Sequence, residues 1–205
     1  MADPTPDDVT PADTTSVPPR IEDDRRPITL LQQRGIEAEV LIPFIRRLEA
    51  EMGRERAHAV AREVIEEIAR QQGRHVSEAL GRTDIEGFTH VKESWGGAGG
   101  DLTIQTLRQD GEQLDFNVVG CRFAEMYRRM GAEDLGFILS CQRDFSLSEG
   151  YSTDLHLERT QTIMQGAPYC DFRYRLARQT DVSEDARAAE ATEANGDTPP
   201  DGKRD

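Results

Sequence analysis

The alternation of residue types between Leu155 and Leu176 constrains this chain more than any other feature. From Leu155 to Met164 one face carries Leu155, Leu157, Arg159, Gln161 and Ile163, and the other carries His156, Glu158, Thr160, Thr162 and Met164. That is the two-residue period of an extended strand. From Cys170 to Leu176 the period resumes, with Cys170, Phe172, Tyr174 and Leu176 on one face and Asp171, Arg173 and Arg175 on the other. Gly166, Ala167 and Pro168 supply a turn between the runs. The pattern predicts a β-hairpin with Cys170 facing inward at the start of its second strand. Arg159 shares a face with aliphatic residues, and burying an unpaired guanidinium is costly, so it is expected to meet an anionic partner or a cavity.

A second hairpin is signalled upstream, where 102–108 and 114–119 alternate around Gln109-Asp110-Gly111-Glu112. The remaining apolar pattern is largely helical. Ile36, Val40, Leu41, Phe44, Ile45 and Leu48 predict an amphipathic helix over 36–51, with Pro43 implying a kink or a late start. Ala57, Val60, Ala61, Val64, Ile65 and Ile68 predict a second helix over 54–72, capped at Gly73 and followed by a shorter one at 74–80. Phe88 to Val91 reads as a short β-like run. Cys121, Ala124, Tyr127 and Met130, closed by Gly131, predict a helix with Cys121 in its first turn, and the apolar run Leu135 to Leu139 delivers the chain to Cys141. The order is helices, hairpin, helices, hairpin. It predicts an α+β fold: an antiparallel sheet built from two hairpins, with N-terminal and central helices packed against it.

Charge and composition limit the function. The formal net charge is −14 over 205 residues. Residues 1–26 hold five prolines, seven acids and three bases, and residues 181–205 hold eight acids and three bases and no aromatic residue. Both are expected to be disordered acidic tails, since such segments bury too little apolar surface to offset the entropy of ordering. A single domain is then expected over 27–180. Acidity of this kind argues against nucleic-acid binding, which needs a basic surface. No apolar run reaches the length of a membrane span, and the start MADPTPDD lacks the basic and apolar parts of a signal peptide. A cytoplasmic protein with reduced cysteines is expected. The apolar first helix suits a homodimer.

The three cysteines form no CxxC, and the four histidines form no HxxxH or HxH pair, so no metal or cofactor is predicted. His58 and His75 are expected on helix surfaces and His90 in a structural role. Trp95-Gly96-Gly97-Ala98-Gly99-Gly100 is followed by no suitably placed lysine and by a strand instead of a helix, so it reads as a connector rather than a phosphate loop. Chemistry-bearing residue types concentrate instead between Cys141 and Leu176, where two cysteines accompany Arg143, Asp144, Glu149, Arg159, Gln161, Thr162, Asp171 and Arg173.

Several blocks resemble a known family. They are Asn117-Val-Val-Gly-Cys121-Arg-Phe-Ala-Glu125, Cys141-Gln-Arg-Asp-Phe145 with Glu149-Gly150, Arg159-Thr-Gln-Thr-Ile-Met164, and Gly166-Ala-Pro-Tyr-Cys170-Asp-Phe-Arg173. Together they resemble the L-2-amino-thiazoline-4-carboxylic acid hydrolase family over about residues 30–176. The resemblance implies hydrolytic opening of a cyclic amidine on a small carboxylate substrate. Gly120 and Tyr169 depart from it, standing where family members often have Arg and His. The ending Gly166…Cys170-Asp-Phe also resembles the close of vinyl-reductase-type ligand-sensing domains.

Ring opening needs a nucleophile, a proton donor and a carboxylate anchor. A thiolate is a strong nucleophile, which points to Cys141 first and Cys170 second. Asp144 or Glu149 is expected as the general acid/base. Arg159 is expected to hold the carboxylate in a bidentate pair, with Arg143, Gln161, Thr162 and Arg173 as further substrate-binding residues. Two alternatives stay open: water activated by a metal on Cys141, Cys170 and a carboxylate, and a small-molecule sensor that binds without catalysis.

Overall fold

The computed structural model describes residues 28–96 and 100–177. The tails expected at 1–26 and 181–205 lie outside the described residues, as does the middle of the glycine-rich run. The helices are α1 (Leu30–Met52), α2 (Arg54–Leu80), α3 (Ile85–Gly96), α4 (Arg122–Arg129), α5 (Glu133–Gly136) and α6 (Arg143–Tyr151). The strands are β1 (Leu102–Gln109), β2 (Gln113–Cys121), β3 (Leu155–Glu158) and β4 (Cys170–Leu176). None of the described helices is long and apolar enough to cross a membrane.

Local chemistry sets the helix ends. Thr29 and Gln32 cap α1 reciprocally: the Gln32 N–H donates to Thr29 Oγ1 at 3.1 Å, and the Thr29 N–H donates to Gln32 Oε1 at 2.9 Å. The helix therefore starts ahead of its apolar stripe and runs on through Pro43. Gly53, at a φ of 85°, separates α1 from α2.

Two expectations about helices are overturned. Gly73 does not end a helix, because α2 continues to Leu80 and Gly81 caps it. Gly73 instead allows close packing. A Cβ there would lie 2.2 Å from the Leu147 carbonyl oxygen, and one at Gly150 would lie 2.1 Å from that of Arg70. The backbones of α2 and α6 thus touch through two glycines. Phe88 to Val91 is helical, not β-like. Ile85, Phe88, Val91 and Trp95 share one buried face of α3, and the Asp84 carboxylate accepts the Gly87 N–H at 2.9 Å near the helix start. A short apolar run does not distinguish a strand from a helix face by itself.

The predicted sheet is present. Its order is β1-β2-β4-β3, with every neighbouring pair antiparallel. Phe116 pairs with Thr106 on one side and Phe172 on the other, and Leu157 pairs with Tyr174. Asp110 closes the first hairpin by accepting the N–H groups of Glu112 and Gln113 at 3.0 and 2.9 Å. The α+β class and the two-hairpin sheet therefore stand.

Two hydrophobic clusters fill the interior. One lies among the helices, around Ala38, Ile65, Tyr127, Leu135, Leu139 and Met164. The other lies between the sheet and helices α3 and α6, around Phe88, Trp95, Phe116, Tyr151, Phe172 and Tyr174. Cys121 and Ile163 pack against both. The residues that carry chemistry gather near this seam.

Candidate functional site

The segment after β3 builds the site. The extended run expected to reach Met164 pairs only as far as Glu158. Beyond it Asp171 takes over from the ladder, accepting from the Thr160 N–H at 3.0 Å, the Thr160 hydroxyl at 2.7 Å and the Gln161 N–H at 2.9 Å. The Thr162 hydroxyl then accepts the Gln165 N–H at 3.2 Å and starts a short 3₁₀ turn, Ile163–Gln165, which Gly166 ends at a φ of 95°. Alternation is lost here, so Thr162, expected on the outer face, is buried.

Arg159 meets both conditions set by its sequence position. Its side chain is 2% exposed. One terminal nitrogen donates to Asp144 Oδ2 at 2.5 Å and the other to the Cys141 carbonyl at 2.8 Å. Its guanidinium carbon lies 4.9 Å from the ring centres of both Phe145 and Phe172. Arg159 also lines a cavity of about 190 Å³ together with Phe137, Phe145, Thr160, Gln161, Thr162 and Gln165. Three predicted substrate-binding residues, Arg159, Gln161 and Thr162, thus share one cavity. Gln161 donates to the Tyr169 carbonyl at 3.1 Å.

Cys141 ends a π-helical turn, Phe137–Cys141, in which the Gln142 N–H reaches back to the Phe137 carbonyl at 2.8 Å. The extra residue in such a turn re-aims side chains, and π turns recur at functional sites. This one presents Phe137 to the cavity and sets the Cys141 carbonyl against Arg159. Cys170 is buried at the start of β4, as expected, and its sulfur accepts the Ile163 N–H at 3.2 Å. Cys121 is the residue that caps α4, its sulfur accepting the Ala124 N–H at 3.4 Å.

Burial dominates the electrostatics. It pushes the Cys141 thiol well above its ordinary value; the Asp144 charge adds to this and the Arg159 charge opposes it. It pushes Cys170 up to about 11, against the Ile163 N–H bond. It raises Cys121 as well, against the N–H groups of Ala124 and Phe123. All three thiols are therefore protonated at neutral pH in the free protein. Burial also raises the Asp144 carboxyl, opposed by Arg159. Burial lowers Arg159, but Asp144 outweighs it and the net shift is upward. The three thiols, Asp144 and Arg159 thus lie within electrostatic reach of one another.

Six predicted residues do not line the cavity. Asp144 and the Cys141 carbonyl reach it only through Arg159, and Cys170 lies against Ile163; the other three lie apart. Arg143 is sealed among helices: Nε donates to the Leu139 carbonyl at 2.7 Å, and the terminal nitrogens donate to Glu37 at 3.1 Å and Gln72 at 3.5 Å. Glu149 is exposed on α6 and pairs with Arg70 at 3.2 Å. Arg173 donates to the Phe116 carbonyl and to Asn117 Oδ1, both at 3.0 Å, away from Arg159. Conversely, Phe137, Phe145, Thr160 and Gln165 line the cavity without having been singled out. Their placement depends on the π turn and on Asp171, which carry no local sequence signature.

His58, expected on a helix surface, is largely buried, with Nε2 2.6 Å from Glu49 Oε1. Among the described residues, Glu49, His58 and Asp134 are the trio of potential metal donors within 4.8 Å of one another, and no cysteine joins them. Arg46 donates to both carboxylates, at 2.8 and 2.7 Å, and Arg54 donates to Asp134 at 2.8 Å. Two guanidinium groups already neutralise these acids, so the cluster is an ion-pair network that holds α1, α2 and α5 together.

Residues 33–174 match the protein family described as L-2-amino-thiazoline-4-carboxylic acid hydrolase. No curated protein matches the chain significantly. Among solved structures, the chain is similar to the phenol-responsive sensory domain of the transcription activator PoxR, crystallised with phenol. Identity is 12%, coverage is 77% of this chain and 78% of that one, and the TM-score is 0.42.

Proposed function

The chain belongs to the L-2-amino-thiazoline-4-carboxylic acid hydrolase family, and from that premise we propose that it hydrolyses a small ring-bearing carboxylate of the cyclic-amidine class in the cavity at Arg159. The observation that carries this reading is the Arg159–Asp144 pair: Arg159 lines a cavity, and its other terminal nitrogen holds the backbone carbonyl of a cysteine, Cys141.

Exchange at Arg159 is the central step. A substrate carboxylate that takes over the guanidinium leaves Asp144 unpaired in a buried setting, where it becomes a stronger base. Asp144 then accepts the Cys141 thiol proton, and the thiolate attacks the amidine carbon. Asp144 returns the proton to the ring atom that leaves as the ring opens. Water next attacks the same carbon and releases the opened product, restoring the thiol, so that one water is consumed per turnover. Cys170 is the alternative nucleophile. Gln161 and Thr162 line the cavity and orient the ring. No metal enters this scheme, and the metal-activated alternative lacks support from any donor trio containing Cys141 or Cys170 among the described residues.

The test is turnover of 2-aminothiazoline-4-carboxylate by the wild type and by Cys141→Ser, Cys170→Ser and Asp144→Asn. Normal turnover by all three variants rejects the scheme. One feature favours a second reading, a binding module without catalysis: all three thiols are buried enough to be pushed above their ordinary value. Iodoacetamide rates measured with and without a bound carboxylate separate the two. A thiol that becomes reactive on binding supports catalysis, and three thiols inert in both states support the binding module. A homodimer through α1 stays within the proposal, since Ile36, Val40 and Phe44 are exposed four residues apart on that helix; sedimentation velocity tests it.

A further inference from the structure

The cavity at Arg159 does not stand alone. A second cavity, of about 630 Å³, is lined by His58, Arg62, Arg128, Ile138 and Met164, and it shares two lining residues, Phe137 and Gln165, with the first. Cavities that hold small ligands typically measure about 300–1,000 Å³. The outer one falls within that range and the inner one, at about 190 Å³, below it.

The charges around the outer cavity are unevenly used. Asp134 is taken by Arg46 and Arg54, Glu133 lies 3.5 Å from Arg128, and His58 is bonded to Glu49. Arg62 has no carboxylate partner among the described residues. Its Nε donates to Gln142 Oε1 at 3.1 Å, and Gln142 is held in turn by donating to Glu66 at 2.5 Å. The guanidinium is thus oriented by a neutral amide, with both terminal nitrogens left to donate. Arg128 is steadied by donating to the Ile163 carbonyl at 2.6 Å. Phe137, Ile138 and Met164 give the outer cavity an apolar part of its wall, and Phe137 carries that wall on into the inner cavity beside Gln165.

We propose that the two cavities form one bipartite groove, and that the substrate is an elongated molecule with a second anionic group. Its ring carboxylate sits at Arg159, an apolar linker crosses Phe137 and Met164, and the far anion is held by Arg62 and Arg128. This rests on the reading of the inner cavity given above and extends it. Guanidinium groups suit the outer position because they bind carboxylates in a planar, two-point arrangement. The apolar wall selects a linker without polar groups, which would lose hydrogen bonds to water there.

Calorimetry on the full chain tests the proposal with straight-chain α,ω-dicarboxylates from succinate to sebacate, each compared with the monocarboxylate of the same chain length, and with 2-aminothiazoline-4-carboxylate. Above some length the diacid is expected to bind about tenfold or more tighter than its matched monoacid, the amount one charge-assisted hydrogen bond supplies. Arg62→Gln should abolish that advantage and leave monoacid affinity unchanged, whereas Arg159→Lys should weaken both. If the long monoacids and 2-aminothiazoline-4-carboxylate bind while no diacid gains, the bipartite groove is overturned and the inner site stands. If no acid binds at all, both fall. If the diacid advantage survives both Arg62→Gln and Arg128→Gln, the far anion is held elsewhere and the assignment is wrong.

Discussion

Two buried arginines, sixteen residues apart in sequence, do different work. Arg143 and Arg159 have almost equally hidden side chains, 6% and 2% exposed. Arg143 shares Glu37 with a second buried cation, Arg34, which donates to the same carboxylate at 2.6 Å. Burial, reinforced by Arg34, pulls it down to about 10, still a full cation at neutral pH. Its remaining donors are spent on Leu139 and Gln72, deep among helices. Arg159 has one carboxylate directly against it, two aromatic faces and a cavity beside it. Burial alone therefore does not distinguish an arginine at a cavity wall from one closed in among helices. What separates them is access to a cavity and a carboxylate that burial pushes above its ordinary value.

Breaking each site in turn tests that contrast. The largest effect is expected from Asp144→Asn, which removes the acid/base and should lower turnover on the order of 10²–10⁴-fold in a folded protein; full turnover would remove Asp144 from the mechanism. Next comes Arg143→Ala. It leaves the Leu139 carbonyl without its donor in a buried setting, at a cost of about 1–3 kcal/mol in chemical denaturation, while Arg34 keeps Glu37 paired and turnover per folded molecule stays near wild type. A stable variant that fails to bind substrate would reverse the roles assigned to the two arginines. Arg159→Lys should weaken substrate binding by about 1–3 kcal/mol, since a point charge cannot reproduce the planar contacts.

The pH dependence sharpens the same comparison. Cys170, raised from 9.0 to about 11, binds its proton more tightly in the folded state. Its contribution to stability is therefore fully present below the ordinary thiol value and lost as pH rises through about 11. Alkylation of the free folded protein at pH near 8 should accordingly be much slower than that of the unfolded chain, and equal rates would contradict the burial of these thiols. The smallest effect is expected at Glu149. Glu149→Gln breaks only an exposed pair with Arg70 and should change both stability and turnover by less than about 0.5 kcal/mol.

Much of the architecture was readable from periodicity. The hairpins at β1–β2 and β3–β4, the amphipathic helices and the inward Cys170 all follow from which residues recur at two and which at three to four. The errors share a cause. Gly73 looks like a cap locally, yet it serves the contact with α6, seventy-odd residues away in sequence. Phe88 to Val91 is too short for its period to decide. The strand after Glu158 stops because Asp171, a side chain from the neighbouring strand, satisfies the backbone that a ladder would have used.

For the candidate site, sequence by itself determined the residue types and one hard constraint: an arginine on an aliphatic face needs a partner or an opening. It also determined the family, which matches over residues 33–174. Tertiary structure decided which candidates meet. It joined Arg159 to Asp144 and to the Cys141 carbonyl, sent Arg143 into the helical core, and left Glu149 and Arg173 outside the cavity. The reason is physical. Period and composition fix which face of an element is buried, but desolvation, ion pairing and cavity walls depend on contacts between elements, and those exist only once the two clusters have packed against their common seam.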